Sequence, residues 1–279
     1  MNIKIMSDST CDLSPELLAA HNITLVPLTV VKGDDQFKDG VTITAADIFA
    51  HVAAGGDLCS TAANSIGEYA DVFEQYTEFD GVIHITIGSG FSSCYQNATL
   101  AAEDYPNVRV IDSRNLSTGQ GLVVLKACEL AKTATDLDAL AEELRAFTEK
   151  VEASFLVDKL DYLVKGGRCS SAAALGANLL NLKPCIEVRD GKMTVVKKYR
   201  GKYDKCLASY VKERLSGRED LDNSNLFITQ TVVSDDCYAA VKAAVAEHGQ
   251  FDNVYETYAG CTVSCHCGPG TLGILFVRK

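Results

Sequence analysis

Apolar residues in this chain gather in short runs, and each run breaks into a Ser/Gly turn before a helix-forming stretch. The clearest are Gly81-Val-Ile-His-Ile-Thr-Ile87 leading into Gly88-Ser-Gly-Phe-Ser-Ser-Cys-Tyr-Gln96, and Val108-Arg-Val-Ile-Asp112 leading into Ser113-Arg-Asn-Leu-Ser-Thr-Gly-Gln120. Ile3-Lys-Ile-Met-Ser-Asp-Ser-Thr10 does the same near the start. Strands alternating with helices of this length predict a mainly parallel sheet covered on both faces. In such a sheet the turns lie at the carboxyl ends of the strands, where ligands bind. A helix N-terminus with nearby hydroxyls suits an anionic head group there.

Between these runs, Ser14-Pro15 opens a helix with proline in its first turn. Residues 23–31 read as one apolar strand, followed by a polar, turn-rich excursion over 32–40. Thr44-Ala-Ala-Asp47 caps a helix that Gly55-Gly56 ends. Ser65-Ile-Gly-Glu68 is a capping box, and Ile66, Tyr69, Val72, Phe73 and Tyr76 form the stripe of its helix. Ser93-Cys-Tyr-Gln96 and Ser117-Thr-Gly-Gln120 read as two more capping boxes, and residues 137–151 as an acidic amphipathic helix.

The pattern changes near residues 153–156. A helical stretch from Leu160 meets Gly166-Gly-Arg168, and Ser170 or Ser171 then caps a small-residue helix over 172–181. Strand runs 185–188 and 193–199 flank Asp190-Gly191, a hairpin signal. Helices over 203–215 and 236–247 alternate with strands over 226–233 and 253–257, and 273–277 closes the chain as a strand. The expectation is an α/β protein: an N-terminal parallel-sheet α/β/α domain over 1–154, and a C-terminal α+β domain with a mixed or antiparallel sheet over 155–279. A ligand would sit in the cleft between them.

At 279 residues and 47% hydrophobic, the chain can bury two cores. A net charge of −11 argues against nucleic acid or an anionic membrane surface as the main partner. No uncharged run reaches the roughly 18 residues of a membrane span, so no stable insertion is expected. Met1-Asn-Ile-Lys-Ile passes straight into a strand without a leader-like apolar region, which points to the cytoplasm. The eleven cysteines sit within apolar runs and read as reduced, mostly buried thiols.

Four places carry candidate chemistry. Ser92 and Ser93, with Gly90, stand at a strand-to-helix turn, where they either only cap the helix or also bind an anion. No Gly-Lys-Ser/Thr follows, so the turn is not a phosphate loop, and it is not a Gly-x-Ser-x-Gly elbow. Thr61 lies ahead of the helix start at Ser65, so hydroxyls from two loops could share one carboxylate. Gly166-Gly-Arg168 offers a turn and a guanidinium for bidentate oxyanion contact. In Cys265-His266-Cys267, with Cys261 nearby, neighbours in an extended run would point to opposite faces and the usual two-residue spacing is absent. No metal is therefore expected, and His266 reads as an imidazole held near a ligand by Gly268-Pro-Gly270. The alternative is a serine-dependent hydrolase or phosphotransferase using Ser92 and His266, with Asp112 the only obvious orienting acid.

Taken in order, Ser7-Asp-Ser-Thr-Cys-Asp-Leu13, Ile87-Gly-Ser-Gly-Phe-Ser-Ser-Cys-Tyr-Gln96, Val110-Ile-Asp-Ser113, Leu163-Val-Lys-Gly-Gly-Arg-Cys-Ser170, Leu180-Asn-Leu-Lys-Pro184, Asp190-Gly191 and His266-Cys-Gly-Pro-Gly270 resemble the DegV family of bacterial fatty-acid-binding proteins over essentially the whole chain. The resemblance implies a non-enzymatic two-domain carrier that needs no cofactor and holds one long-chain fatty acid between its domains. It further implies that the carboxylate is presented to a separate fatty acid kinase, which makes acyl-phosphate for phospholipid synthesis. Carried over, Thr61 and Ser92 match the hydroxyl pair on the carboxylate, and backbone N–H groups around Ser93 complete the cradle. Arg168 and His266 match positions near the carboxyl end, and Arg200 matches a basic position associated with kinase docking. The chain departs from the family's usual Thr-Ser-Gln-Pro-Ser at Thr61-Ala-Ala-Asn-Ser65, from Ser-Gly-Thr at Ser92-Ser93-Cys94, and from Thr after the histidine at Cys267; the hydroxyl pair is retained.

Overall fold

A computed structural model describes residues 1–174 and 182–279. Its first half runs β1 (Ile3–Asp8), α1 (Pro15–Ala20), β2 (Thr24–Val26), β3 (Thr29–Lys32), β4 (Asp35–Lys38), α2 (Ala45–Ala53), β5 (Ser60–Ala62), α3 (Ile66–Phe73), β6 (Gly81–Thr86), α4 (Cys94–Ala102), β7 (Val108–Asp112), α5 (Ser117–Leu130) and α6 (Leu137–Thr148). The second half runs β8 (Val151–Val157), α7 (Asp161–Gly166), α8 (Ser170–Ala173), β9 (Leu182–Arg189), β10 (Lys192–Arg200), α9 (Tyr203–Leu215), β11 (Leu221–Gln230), α10 (Asp235–His248), β12 (Asn253–Tyr258), α11 (Cys261–Cys267) and β13 (Thr271–Arg278). Most of the small-residue helix expected over 172–181 falls outside the described residues.

The first sheet is parallel in the order β2-β1-β6-β7, and every residue of β6 is buried. Strand pleating divides its side chains between two faces. Met6, Val82 and Val110 pack with Tyr69 and Phe73 of α3, and Ile5, Ile83 and Ile85 pack with Val123 of α5 and Leu144 of α6. The second sheet has the order β10-β9-β8-β13-β11-β12, antiparallel except at β11–β12. One face carries α9 and α10 over Leu156, Ile228, Ile274 and Phe276. The other turns Phe155, Phe227 and Leu275 toward the first domain. The fold is thus two-domain α/β, with a parallel sheet first and a mixed sheet second.

Helix α5 lies between the sheets, touching β1 and β6 on one side and β8, β11 and β13 on the other. That double contact explains why ten of its fourteen residues are buried, Ser117, Thr118 and Gln120 among them, instead of a single stripe. Thr118 and Thr229 share a hydrogen bond of 2.5 Å across this junction.

Several local expectations change. Residues 23–31 are two strands: Pro27 has no N–H to donate, so the chain leaves the parallel sheet after β2, and β3 joins β4 and β5 in a separate antiparallel sheet. The helix expected over 137–151 stops at Thr148, and Val151 already opens β8. The boxes at Thr44 and Ser65 form with both reciprocal bonds. Those at Ser93 and Ser117 do not. Ser93 sits at φ −79°, ψ 5°, outside the extended region typical of an N-cap, and makes no cap bond. Ser117 adopts φ +52° and donates to Asp12 at 2.5 Å, while Gln120 reaches across to Thr10 and Ser7. The Asp190-Gly191 hairpin forms as read, with positive φ at both turn residues. All eleven cysteines are free and buried. No described helix is long and apolar enough to cross a membrane.

Candidate functional site

The residues 261–267 are helical, not extended. This corrects the extended run assumed for Cys265-His266-Cys267, and the helix sends its cysteines into different surroundings. Cys261 and Cys265 pack with Val30, Ile48 and Cys59 beside the small sheet, whereas Cys267 joins the cluster around Phe91 and Leu116. Among the described residues, no three Cys, His, Asp or Glu side chains converge to hold a metal.

Helix α11 is anchored by acids of the first domain. Asp39 accepts from the N–H groups of Cys261 at 2.9 Å and Thr262 at 3.1 Å, and from the Thr262 and Ser9 hydroxyls at 2.7 and 3.0 Å. Asp12 accepts from the Gly260 N–H at 2.9 Å. These carboxylates occupy the first-turn donors of a helix whose own N-cap, Gly260, has no side chain to do so. Burial pushes the Asp12 carboxyl up to about 8, against the opposing pull of its bonds to Ser117 and Gly260.

His266 in the last turn of α11 meets Thr61 of β5, with Thr61 Oγ1 and His266 Nε2 2.8 Å apart. Burial, with the Arg168 charge second, lowers the imidazole to about 4, so the ring is neutral at pH 7. Among the described residues its Nδ1 is buried without a partner, and it packs against Gly166, where an added Cβ would come within 2.5 Å of that nitrogen. Gly167, at φ +68°, ends α7 and turns the chain to Arg168, whose guanidinium donates to the Gly166 carbonyl at 2.7 Å.

Thr61, His266, Arg168, Ser92 and Ser93 line one cavity of about 120 Å³. Its remaining wall is largely apolar, including Leu28, Ile87, Phe91, Leu116, Met193 and Val263. A smaller cavity of about 30 Å³ shares Leu116, Val263 and Cys267 and continues to Phe155 and Leu275 of the second sheet. Hydroxyls and a guanidinium therefore share a largely apolar slot between the domains. Gly90 is not in that lining. A Cβ there would overlap the carbonyl oxygen of Gly191, so glycine lets the Ser92 turn and the β9–β10 turn touch backbone to backbone. Arg200 is exposed at the end of β10, away from this lining.

A serine-hydrolase arrangement is not assembled. Ser92 Oγ pairs with Cys94 Sγ at 3.1 Å and accepts from the Cys94 N–H at 3.3 Å. His266 spends Nε2 on Thr61, and Asp112 accepts from Ser89 and the Arg114 N–H. Asp39 and Asp12 are the participants that sequence reasoning missed. Asp12 lies inside the Ser7–Leu13 run, and Asp39 in an excursion read only as turns.

A family model described as "Uncharacterised protein, DegV family" matches residues 2–279. A DegV domain-containing protein of Deinococcus radiodurans is 33% identical over 98% of both chains. A DegV family protein from Thermus thermophilus, described by its fatty acid binding, superposes with TM-score 0.90 at 28% identity over 100% of both chains. A stearic-acid-binding protein from Eubacterium ventriosum superposes with TM-score 0.83, also at 28% identity, over 99% of this chain and 98% of its own.

Proposed function

Because this chain belongs to the DegV family, we propose that it binds one long-chain fatty acid in the slot between its domains and presents the carboxylate to a separate fatty acid kinase. The observation that carries the reading is the make-up of the slot: the hydroxyls of Thr61 and Ser92 with Arg168 in a lining that is otherwise largely aliphatic and aromatic. The fatty acid binding described for the Thermus thermophilus protein and the stearic acid named for the Eubacterium ventriosum protein support it.

In this reading, residues 1–154 supply the hydroxyl-bearing loops and residues 155–279 close over the acyl chain. Thr61 Oγ1, Ser92 Oγ and N–H groups around Ser93 hydrogen-bond the carboxylate, whose desolvation needs such partners. Arg168 supplies the countercharge, and neutral His266 orients Thr61. Gly90 contributes by letting the Ser92 turn seat against the second domain. Each buried methylene contributes about 0.8 kcal/mol, so a tail of some fourteen carbons offers about 10 kcal/mol before ordering costs. The protein acts as a cytoplasmic carrier with no cofactor and no reaction of its own, and Arg200 serves kinase docking.

The test is to denature purified protein, extract it into organic solvent and identify bound lipid by mass spectrometry. One equivalent of free long-chain fatty acid is expected, and Thr61→Ala with Ser92→Ala should empty the folded protein. An extract that stays empty after incubation with mixed fatty acids would overturn the reading, as would full retention in the double variant.

A further inference from the structure

A second cavity, of about 580 Å³, opens at the junction of the sheets, and none of Thr61, Ser92, Arg168 or His266 lines it. Its walls come from the turn after β7, the end of α6, the first residues of β8, the β9–β10 turn and the C-terminal end of α9. Five arginines line it: Arg114, Arg189, Arg214, Arg218 and Arg278. In a chain of net charge −11, that concentration of guanidinium groups calls for a reason.

Five carboxylates, Glu149, Glu152, Glu187, Asp190 and the neighbouring Asp220, face these five arginines, so what ion pairing leaves unspent is guanidinium N–H donors and not net charge. Glu152 is shared by Arg214 at 2.5 Å, Arg218 at 2.8 Å and Arg278 at 3.3 Å, and Glu187 is shared by Arg214 and Arg189. Four guanidinium groups therefore converge on two carboxylates. Asp220, outside the lining, also holds Arg218 at 2.6 Å. The other lining acids, Glu149 and Asp190, are exposed and stand 3.4 and 3.9 Å from Arg114. Each guanidinium has five N–H donors. Among the described residues Arg189 uses only Nε, and Arg214 Nε is buried without a partner.

Planar guanidinium forks fit phosphate oxygens two at a time and give up hydration more readily than ammonium groups. The volume lies within the roughly 300–1,000 Å³ of small-molecule sites, whereas an apolar occupant would strip water from the arginines with nothing in return. We propose that this cavity binds a small phosphorylated polyanion, one carrying at least two adjacent phosphoryl groups. The site stands back to back with the lipid slot. Arg114 and Asn115 lead directly to Leu116 of that slot, the Gly88 N–H donates to the Asn115 carbonyl at 2.8 Å, and Gly191 abuts Gly90.

The experiment is isothermal titration of the full chain with inorganic pyrophosphate, ionic strength being held constant with sodium chloride. One saturable site is expected. Arg189→Gln with Arg278→Gln should weaken it at least tenfold, and Arg189→Gln alone, at a side chain 61% exposed, provides a variant whose folding is not at risk. Lys126→Gln with Lys242→Gln removes the same charge outside the cavity and should leave affinity unchanged. No heat beyond that of sodium chloride, equal affinity in the arginine variants, or an equal loss in the lysine variant would each overturn the proposal.

Discussion

Asp39→Ala is the most informative single perturbation of the candidate site, although residue 39 does not itself line the slot and reaches it only through Thr262. The carboxylate is 4% exposed and takes four hydrogen bonds, two of them from the buried N–H groups of Cys261 and Thr262. Truncation leaves those N–H groups without an acceptor in a place water does not reach. Each buried orphan costs about 1–3 kcal/mol, while the Ser9 and Thr262 hydroxyls can rotate to other acceptors. The two N–H groups together predict a loss of about 4 kcal/mol, about twice the upper end of the about 0.5–2 kcal/mol usual for one cap bond, because two donors and a charge are lost together. At about 2–4 °C per kcal/mol for a large domain, the melting temperature should fall by roughly 10 °C. Asp39→Asn keeps one acceptor oxygen and should lose about half as much. Hydrogen exchange followed by mass spectrometry separates this from general damage: the peptide over 259–268 should lose protection first, and lipid retention should fall because His266 rides on that helix. A melting temperature within 2 °C of the parent protein together with unchanged exchange over α11 would refute the reasoning.

Two further predictions follow from titrating groups. His266 is held near 4, below its ordinary 6.5, so its contribution to stability is fully present above pH 6.5 and is lost as pH falls toward 4; the penalty reaches up to about 3 kcal/mol and should vanish in His266→Gln. NMR titration of the ring should also show its pKa rising once a fatty acid carboxylate is loaded, and titration near 6.5 in the lipid-free protein would count against the buried site. Asp12 has the opposite sign: raised from 3.8 to about 8, it favours the folded state at low pH and loses that advantage as pH rises from about 4 to about 8. Asp12→Asn should therefore gain stability relative to the parent protein more at pH 8 than at pH 5 in urea unfolding, and parallel curves would contradict the assignment.

The sequence made the site's near half legible because its signals are local. A buried run ending at Ile87 and a Ser/Gly turn before α4 suffice to place Ser92 at a sheet end, whatever the rest of the chain does. The hairpin at Asp190-Gly191 is equally local, since two residues at positive φ fix it. Some failures have a distant cause, a partner that competes for the group, and others a local one. Ser117 matches a capping box, yet Asp12 claims its hydroxyl from 105 positions away. Residues 23–31 look like one strand until Pro27 splits them between two sheets.

Helix α11 is the sharpest case of that competition. Its Cys-Thr-Val-Ser-Cys-His-Cys run has no polar N-cap and little helix propensity, so nothing local announces it. What makes it helical is an acceptor set supplied by Asp39, more than two hundred residues earlier, and a pocket of Val30, Ile48 and Cys59 for its buried face. The same contacts dock this helix of the second half onto loops of the first and bring His266 to Thr61. The site and the helix are therefore held by the same contacts: the first-domain acid that caps α11 also fixes the helix that carries the imidazole to the threonine.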